Sequence, residues 1–178
     1  MPDRVASADV DETPRRGELP RIYARRVAAE KARALAEPGV LTLAADTVVA
    51  VGQRILPKAA DADEVRRCLR LLSGRRHHVI TAVHLHGADG RPGERVVDSV
   101  VAFARLPDAD IDAYAAGGEG VGKAGGYAIQ GAAAAFVRFL SGSYSGVVGL
   151  PLWEASQLLR GRGYRIPCPP APCLPPAR

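Results

Sequence analysis

The spacing of apolar and polar residues along the chain predicts four helices. Over residues 19–36, apolar side chains recur at helical intervals and charged residues occupy the opposite side, which indicates an amphipathic helix. Residues 61–74 repeat the pattern between an aspartate suited to cap a helix and a glycine suited to end one. Shorter helices are predicted over 108–116 and over 151–160, the latter opening on a proline.

Four other segments have the pattern of β-strands. Residues 40–51 form an apolar run that is interrupted at Asp46, which predicts a buried strand. Residues 77–87 and 94–106 predict two strands joined as a hairpin by a turn-rich segment, and 134–140 predicts a further strand. Because helices and strands alternate in part, we predict an α/β fold in which a mixed sheet is flanked by helices.

Composition narrows the classes of protein to consider. The 178 residues are 47% hydrophobic, so we predict one domain over residues 1–166, and a proline-rich, disordered tail over 167–178. The net charge of +5 favours anionic partners. No segment approaches the roughly 20 apolar residues of a membrane span, and acids stand where a signal peptide would be apolar. We therefore expect a cytoplasmic protein with no membrane partner.

Asp46 is the chemical anomaly of its strand. Burying a carboxylate is costly unless a metal ion, a lysine or a hydrogen-bonding ligand meets it. A position at a strand end that faces a cleft would satisfy this requirement and would favour a functional role. The alternative is an aspartate at the end of the strand that caps the next turn through its side chain. Spacing alone leaves both interpretations open.

Three lysines lie close to these elements in sequence. Lys31 belongs to the first amphipathic helix and Lys58 follows the strand of Asp46; taken singly, each is more typical of an exposed surface lysine. Lys123 lies in the glycine-rich segment 122–131, where backbone N–H groups could surround phosphate oxygens. The glycine spacing matches neither of the common phosphate-binding motifs, so this pattern alone is weak.

Two further interpretations have less support. His78, His84 and His86 share one face of the strand over 77–87, and a pair of imidazoles can bind a transition metal, but no third ligand is identifiable. An ordinary sheet face is the simpler explanation. Arginines around residues 14–18 suggest nucleic acid, yet acids are interleaved and no aromatic platform accompanies them, so we predict no nucleic-acid partner.

Seven stretches of the chain form a distinctive series. They are "ADVDE" (8–12), "RRVAAEKA" (25–32), "AADTVV" (44–49), "ILPK" (55–58), "LRLLSGRRHHVITAV" (69–83), "GKAGGYAIQG" (122–131) and "GSYSGVVGLPLWE" (142–154). In this order they resemble the Maf family of nucleoside triphosphate pyrophosphatases. The resemblance implies an inosine triphosphatase-like fold and hydrolysis of a nucleoside triphosphate to the monophosphate and pyrophosphate. It also implies a divalent metal cofactor, Mg²⁺ or Mn²⁺, and a possible homodimer.

The resemblance implies catalytic roles by position. Asp46 matches the acid that serves as general base in the family, and Glu12 matches a second acidic residue, which would hold the metal. Lys31 and Lys58 match lysines that face the phosphates. Carboxylates, a metal and two ammonium groups suit this chemistry, because release of pyrophosphate concentrates negative charge on the leaving group.

Substrate choice is implied in the same way. Thr47 and Gln130 match positions linked to recognition of the base, and "ADT" together with "YAIQG" resembles the branch that acts on dTTP and UTP rather than on 7-methyl-GTP. A glutamine amide offers both a donor and an acceptor, which suits the edge of uracil or thymine. The glycines around Gln130 would let the backbone approach the nucleotide closely.

The start of the sequence departs from the family pattern. Members usually begin with a strand and an "SASPRR"-like loop that binds phosphate, and this sequence begins too late to include them. The segment "TPRRGE" (13–18) is similar to that loop, but its neighbours belong to a later stretch, so Arg15 and Arg16 receive no role. We expect an N-terminally truncated fold from a misplaced start site, or alternatively a catalytically impaired nucleotide-binding protein.

Overall fold

A five-stranded antiparallel sheet forms the centre of the computed structural model, which describes residues 3–165. The strands are β1 (Thr42–Val51), β2 (Arg54–Leu56), β3 (Arg76–His86), β4 (Pro92–Phe103) and β5 (Val137–Ser141). Their order across the sheet is β2-β1-β3-β4-β5, and every neighbouring pair is antiparallel. The predicted hairpin of β3 and β4 is confirmed. Strand β2 has only three residues, too few for a period-two pattern to show in the sequence.

Four of the five α-helices in the described residues lie close to where the sequence predicted them, whereas α4 was not predicted. They are α1 (Pro20–Ala34), α2 (Ala62–Leu72), α3 (Asp108–Ala116), α4 (Tyr144–Val148) and α5 (Leu152–Arg160). The side chain of Asp61 caps α2 by accepting a hydrogen bond from the Glu64 amide at 2.8 Å. The strand predicted over 134–140 is partly wrong, because residues Ala132–Phe136 form a 3₁₀ helix and β5 begins only at Val137. Within residues 3–165, no helix has the length and apolar character needed to cross a membrane.

The sheet is covered on both faces, as an α/β fold requires. Successive side chains of a strand point to opposite faces, so Val48 packs toward α1 while Val49 packs toward α2 and α3. Helix α5 covers the far end of the second face, where Ala155 and Leu158 contact Leu85. The predicted α/β fold with a sheet flanked by helices is therefore confirmed, but the five described strands pair in antiparallel fashion throughout, whereas a mixed sheet was predicted. The proposed tail over 167–178 lies outside the described residues.

Two histidines of β3, His77 and His78, have structural partners. His77 is fully buried, and its Nε2 lies 2.8 Å from the hydroxyl oxygen of Tyr127. Burial lowers the pKa of His77 to about 4, so the ring is neutral at pH 7. The exposed His78 pairs with Asp98 at 2.8 Å. This contact gives one of the three histidines considered as metal ligands an ordinary role on the sheet surface.

Candidate active site

Asp46 lies inside β1 rather than at its end, on the face covered by α1. Its side chain is only 2% exposed. Its Oδ1 accepts a hydrogen bond from Lys31 Nζ of α1 at 2.7 Å. The interpretation of Asp46 as a cap at the end of a strand is therefore wrong, because the strand continues to Val51. A buried ammonium partner explains how the carboxylate is accommodated in an apolar strand.

Four charged residues from separate segments form what we call the ion cluster: Glu12, Lys31, Asp46 and Lys58. Lys31 Nζ lies 2.7 Å from Glu12 Oε1 as well as from Asp46 Oδ1. The second oxygen of Glu12 contacts the ammonium group of Lys58. The segment of Glu12 is held in place by Tyr23, whose hydroxyl donates to the Glu12 carbonyl at 2.8 Å. The fold thus brings together the four charged positions that the resemblance had singled out.

Burial and pairing set the charges in the ion cluster. Burial raises the pKa of Asp46 above its ordinary value, and the hydrogen bond from Lys31 only partly offsets this effect. Burial would lower the pKa of Lys31, but its hydrogen bonds to Asp46 and Glu12 raise it. Partial burial disfavours ionisation of Glu12, yet the hydrogen bonds from Lys31 and Lys58 lower its pKa. Asp46 is consequently a stronger base than an exposed aspartate.

Two adjacent cavities open beside the ion cluster. The first has a volume of about 260 Å³, and its lining includes Asp46, Thr47, Lys58, Lys123 and Gln130. The second has a volume of about 290 Å³, and its lining includes Glu12, Tyr23, Thr47 and Lys58. Together they reach the range of roughly 300–1,000 Å³ that is typical of small-ligand sites. Because Thr47 and Lys58 line both, one ligand could extend from the first cavity into the second.

Base-recognition candidates and charged groups share the first cavity. Thr47 and Gln130 line it together with Asp46, whereas Lys31 reaches the site only through its contacts with Asp46 and Glu12. Lys123, which the glycine spacing supported only weakly, lines the same cavity. The first cavity is therefore lined by a carboxylate, two ammonium groups, an amide and a hydroxyl, and it is large enough for part of a nucleotide.

The carboxylates of the ion cluster fit a divalent cation. Asp46 Oδ2 is buried and has no hydrogen-bond partner among residues 3–165. Glu12 contacts the same Lys31 ammonium group as Asp46 does. Mg²⁺ is commonly held by one or two carboxylates together with substrate phosphates and water. In the described part of the chain, no group of three His, Cys, Asp or Glu side chains is arranged as a metal site.

Backbone hydrogen bonds join the glycine-rich segment 122–131 to residues 57–59, which follow β2. Gly122 N donates to the Ala59 carbonyl at 2.7 Å, and Gly125 N donates to the Pro57 carbonyl at 3.0 Å. Gly125 has a φ of +68°, and a Cβ atom there would lie 2.8 Å from Cγ1 of Val49 in β1. At this position, the glycine is required for close packing of the segment against β1 rather than for approach to a nucleotide.

We expect Gly125→Ala to lower the free energy of unfolding by about 2–5 kcal/mol, from a strained backbone and an overpacked contact with Val49. Gly122→Ala is the matched control, because Gly122 has a similar φ of +76° but a Cβ atom added there would have no neighbour within 4 Å. Gly122→Ala should lower the free energy of unfolding by only about 1–2 kcal/mol. Urea unfolding of both variants measures the difference, and equal losses would contradict the packing role of Gly125.

Thr81 is a site residue that the sequence analysis did not identify. It lies opposite Thr47 in the pairing of β1 with β3, and the two hydroxyl oxygens are 2.9 Å apart. Its hydroxyl also donates to the Gly146 carbonyl oxygen in α4 at 2.7 Å. A threonine within an apolar strand is common, so only the strand register could reveal this contact.

Comparison with known proteins gives a consistent result. A family model described as Maf-like protein matches residues 1–162. A dTTP/UTP pyrophosphatase of Sphingopyxis alaskensis is 59% identical over 164 residues, which cover 92% of this chain and 86% of that protein. A dTTP/UTP pyrophosphatase of Rhodospirillum rubrum is 60% identical over 167 residues, covering 93% and 80%. One of Caulobacter vibrioides is 57% identical over 166 residues, covering 92% and 86%.

Proposed function

The chain belongs to the Maf family, and from this membership we propose that it is a nucleoside triphosphate pyrophosphatase that hydrolyses dTTP and UTP. The products would be the nucleoside monophosphate and pyrophosphate. The observation that carries the proposal is the ion cluster, in which the buried Asp46 meets Lys31 beside two cavities. Carboxylates and ammonium groups are also the groups that hydrolysis of a phosphoanhydride requires.

Asp46 is the proposed general base. Its pKa is raised by burial, so its carboxylate accepts a proton from an attacking water more readily than an exposed aspartate does. Lys31 fixes the position of Asp46 Oδ1, and Oδ2 has no partner among the described residues. This arrangement leaves the second oxygen available to bind a water or a cation.

The second requirement of the reaction is stabilisation of the negative charge on the departing pyrophosphate. Lys58 lines both cavities and Lys123 lines the first, so we assign these ammonium groups to the phosphates. Glu12 and Asp46 would hold the divalent metal, Mg²⁺ or Mn²⁺, which would neutralise phosphate charge when bound. Lys31 contacts both of these carboxylates and holds them in place.

Measurement of both phosphate products tests the proposal directly. Purified protein is incubated with UTP or dTTP and Mg²⁺, and pyrophosphate, orthophosphate and the nucleoside monophosphate are quantified. We expect pyrophosphate and monophosphate in equal amounts, with no orthophosphate beyond the enzyme-free blank. Nucleotide binding without pyrophosphate release would reject the enzyme and leave the catalytically impaired binding protein as the explanation.

We expect Gln130→Ala to weaken the preference for UTP and dTTP over GTP, because the amide would no longer bind the edge of the base. Loss of one such hydrogen bond should reduce kcat/KM for UTP by about tenfold. Gln53→Ala is the matched control, since Gln53 is exposed in the turn between β1 and β2. An unchanged preference for UTP and dTTP over GTP in Gln130→Ala would remove Gln130 from the proposed site.

Several expectations from the sequence stay predictions. These are the single domain over residues 1–166, the homodimer, the cytoplasmic location and the lack of a nucleic-acid partner. Light scattering of the purified protein would test the homodimer. Titration with RNA at increasing salt would test the last of them, because binding through phosphate charges weakens steeply as salt rises.

A further inference from the structure

The direction of one hydrogen bond in the first cavity follows from the contacts of Thr81. Thr81 is 1% exposed, and its hydroxyl lies 2.7 Å from the Gly146 carbonyl oxygen. A carbonyl oxygen can only accept, and a threonine hydroxyl has one hydrogen to donate. The hydrogen of Thr81 is therefore used on Gly146. In the 2.9 Å contact between the hydroxyls of Thr47 and Thr81, Thr47 must be the donor.

Thr47 consequently presents only its lone pairs to the cavity. Its own hydrogen points at Thr81, away from any ligand that the cavity holds. The acceptor that fixes this orientation is itself anchored, because the Gly146 amide donates to Ser143 Oγ at 3.0 Å. The Ser143 amide in turn donates to Ser99 Oγ of β4 at 3.0 Å. Thr47 is thus held as a hydrogen-bond acceptor by contacts that run from β3 through α4 to β4.

We propose that Thr81 is a positioning residue for base selection, which makes the site accept pyrimidines that carry a ring N–H and refuse cytosine. This inference rests on the proposed function. Neutral uracil and thymine have an N3–H donor, whereas N3 of cytosine is an acceptor. The hydroxyl oxygen of Thr47 and N3 of cytosine would both be acceptors, so neither would have a hydrogen-bond partner in the bound state. Unpaired polar groups of this kind strongly disfavour binding.

Gln130 cannot supply this discrimination by itself. A glutamine amide carries a donor and an acceptor, and rotation by half a turn exchanges them. Gln130 is exposed at the cavity wall, so it has room to present either group to a base. The hydroxyl of Thr47 has no such freedom while Thr81 and Gly146 occupy its hydrogen. Selection between uracil and cytosine therefore falls to the pair of threonines.

Thr81→Val tests the inference, because valine keeps the shape of threonine and removes the hydroxyl. In this variant the Thr47 hydroxyl can rotate and donate to N3 of cytosine. We expect the ratio of kcat/KM for UTP to that for CTP to fall by about tenfold or more. Thr81→Ser is the matched control, since serine restores the donor to Gly146, and it should keep the original ratio. A loss of activity shared by both substrates cancels in this ratio.

The outcomes separate this inference from the proposed function. If the unsubstituted protein hydrolyses UTP and Thr81→Val keeps its ratio, the inference is overturned and the function stands. If the unsubstituted protein hydrolyses no nucleotide, both are rejected.

Thr47→Val provides a second measurement that leaves the Thr81–Gly146 bond in place. It should lower kcat/KM for UTP by about tenfold without lowering that for CTP. An equal fall for both nucleotides would contradict the assignment of Thr47 as a fixed acceptor, whether or not Thr81→Val folds.

Discussion

Asp46→Asn should lower the rate of pyrophosphate release from UTP by about a hundredfold to ten-thousandfold. Asparagine has nearly the same shape and still offers an oxygen to Lys31, but it cannot take a proton from water. The buried position of Asp46 and the hydrogen bond from Lys31 at 2.7 Å are therefore largely preserved in the variant. Steady-state kinetics with UTP and Mg²⁺, together with circular dichroism to verify folding, measure the effect.

Asp98→Asn is the matched control for this experiment. Asp98 is also a strand aspartate with a basic partner, but its side chain is 41% exposed and it pairs with His78 on the surface of the sheet. Asp98→Asn should leave the rate of pyrophosphate release from UTP unchanged. If Asp46→Asn retained a rate within tenfold of the unsubstituted protein, Asp46 would not be the general base and another group would have to accept the proton.

The pH dependence of the rate provides an independent measure of Asp46. The base acts only when ionised, so the rate should rise with pH through the pKa of Asp46. Burial raises the pKa of Asp46 above the ordinary value of 3.8, and the acidic limb of the profile should shift upward with it. The residual rate of Asp46→Asn should lack this limb. If the acidic limb of the pH profile persisted unchanged in Asp46→Asn, that limb would report the ionisation of a different group.

Lys31→Met should lower the free energy of unfolding by about 3–5 kcal/mol, because it leaves a buried carboxylate without its cation. The side chains of Asp46 and Lys31 are 2% and 17% exposed, so water cannot replace the lost ammonium group fully. The pyrophosphate-releasing activity should fall as well, since Glu12 and Asp46 lose the cation between them. Urea unfolding monitored by tryptophan fluorescence and the pyrophosphate assay measure the two effects.

Arg25→Met is the control for a cation on the same helix. Arg25 pairs with Glu94 at 2.7 Å, but its side chain is 47% exposed. Surface ion pairs of this kind contribute about 0–1 kcal/mol, so the change in stability should be small. Equal losses in Arg25→Met and Lys31→Met would show that burial of the Lys31–Asp46 pair does not matter.

A double substitution separates stability from catalysis. Lys31→Met combined with Asp46→Asn removes both charges of the buried pair, so it should recover most of the stability that Lys31→Met loses. It should not recover activity, because the base is missing. The loss of stability in Lys31→Met should also become smaller as pH falls, because the unpaired Asp46 is then protonated in the folded protein. Stability in that variant would decline as pH rises through the pKa of Asp46.

Local patterns were enough to predict much of the framework around the site. The apolar intervals of α1 and α2 predicted both helices, and the aspartate and glycine that flank α2 marked its ends. The turn-rich segment between two strand-like runs predicted the hairpin of β3 and β4. These features depend on neighbouring residues, which is why they can be read from the sequence. The 3₁₀ helix before β5 was missed, because its run of alanines suits several conformations.

The family resemblance of the sequence predicted which chemical groups the candidate site would contain: an aspartate in an apolar strand, nearby lysines and a glutamine in a glycine-rich segment. The partners of these groups became known from the three-dimensional fold alone. Lys31 meets Asp46 because α1 packs across β1, Glu12 joins them from a loop, and Thr81 meets Thr47 through the strand register. Contacts between residues distant in the chain depend on how elements pack, and no local spacing specifies that packing.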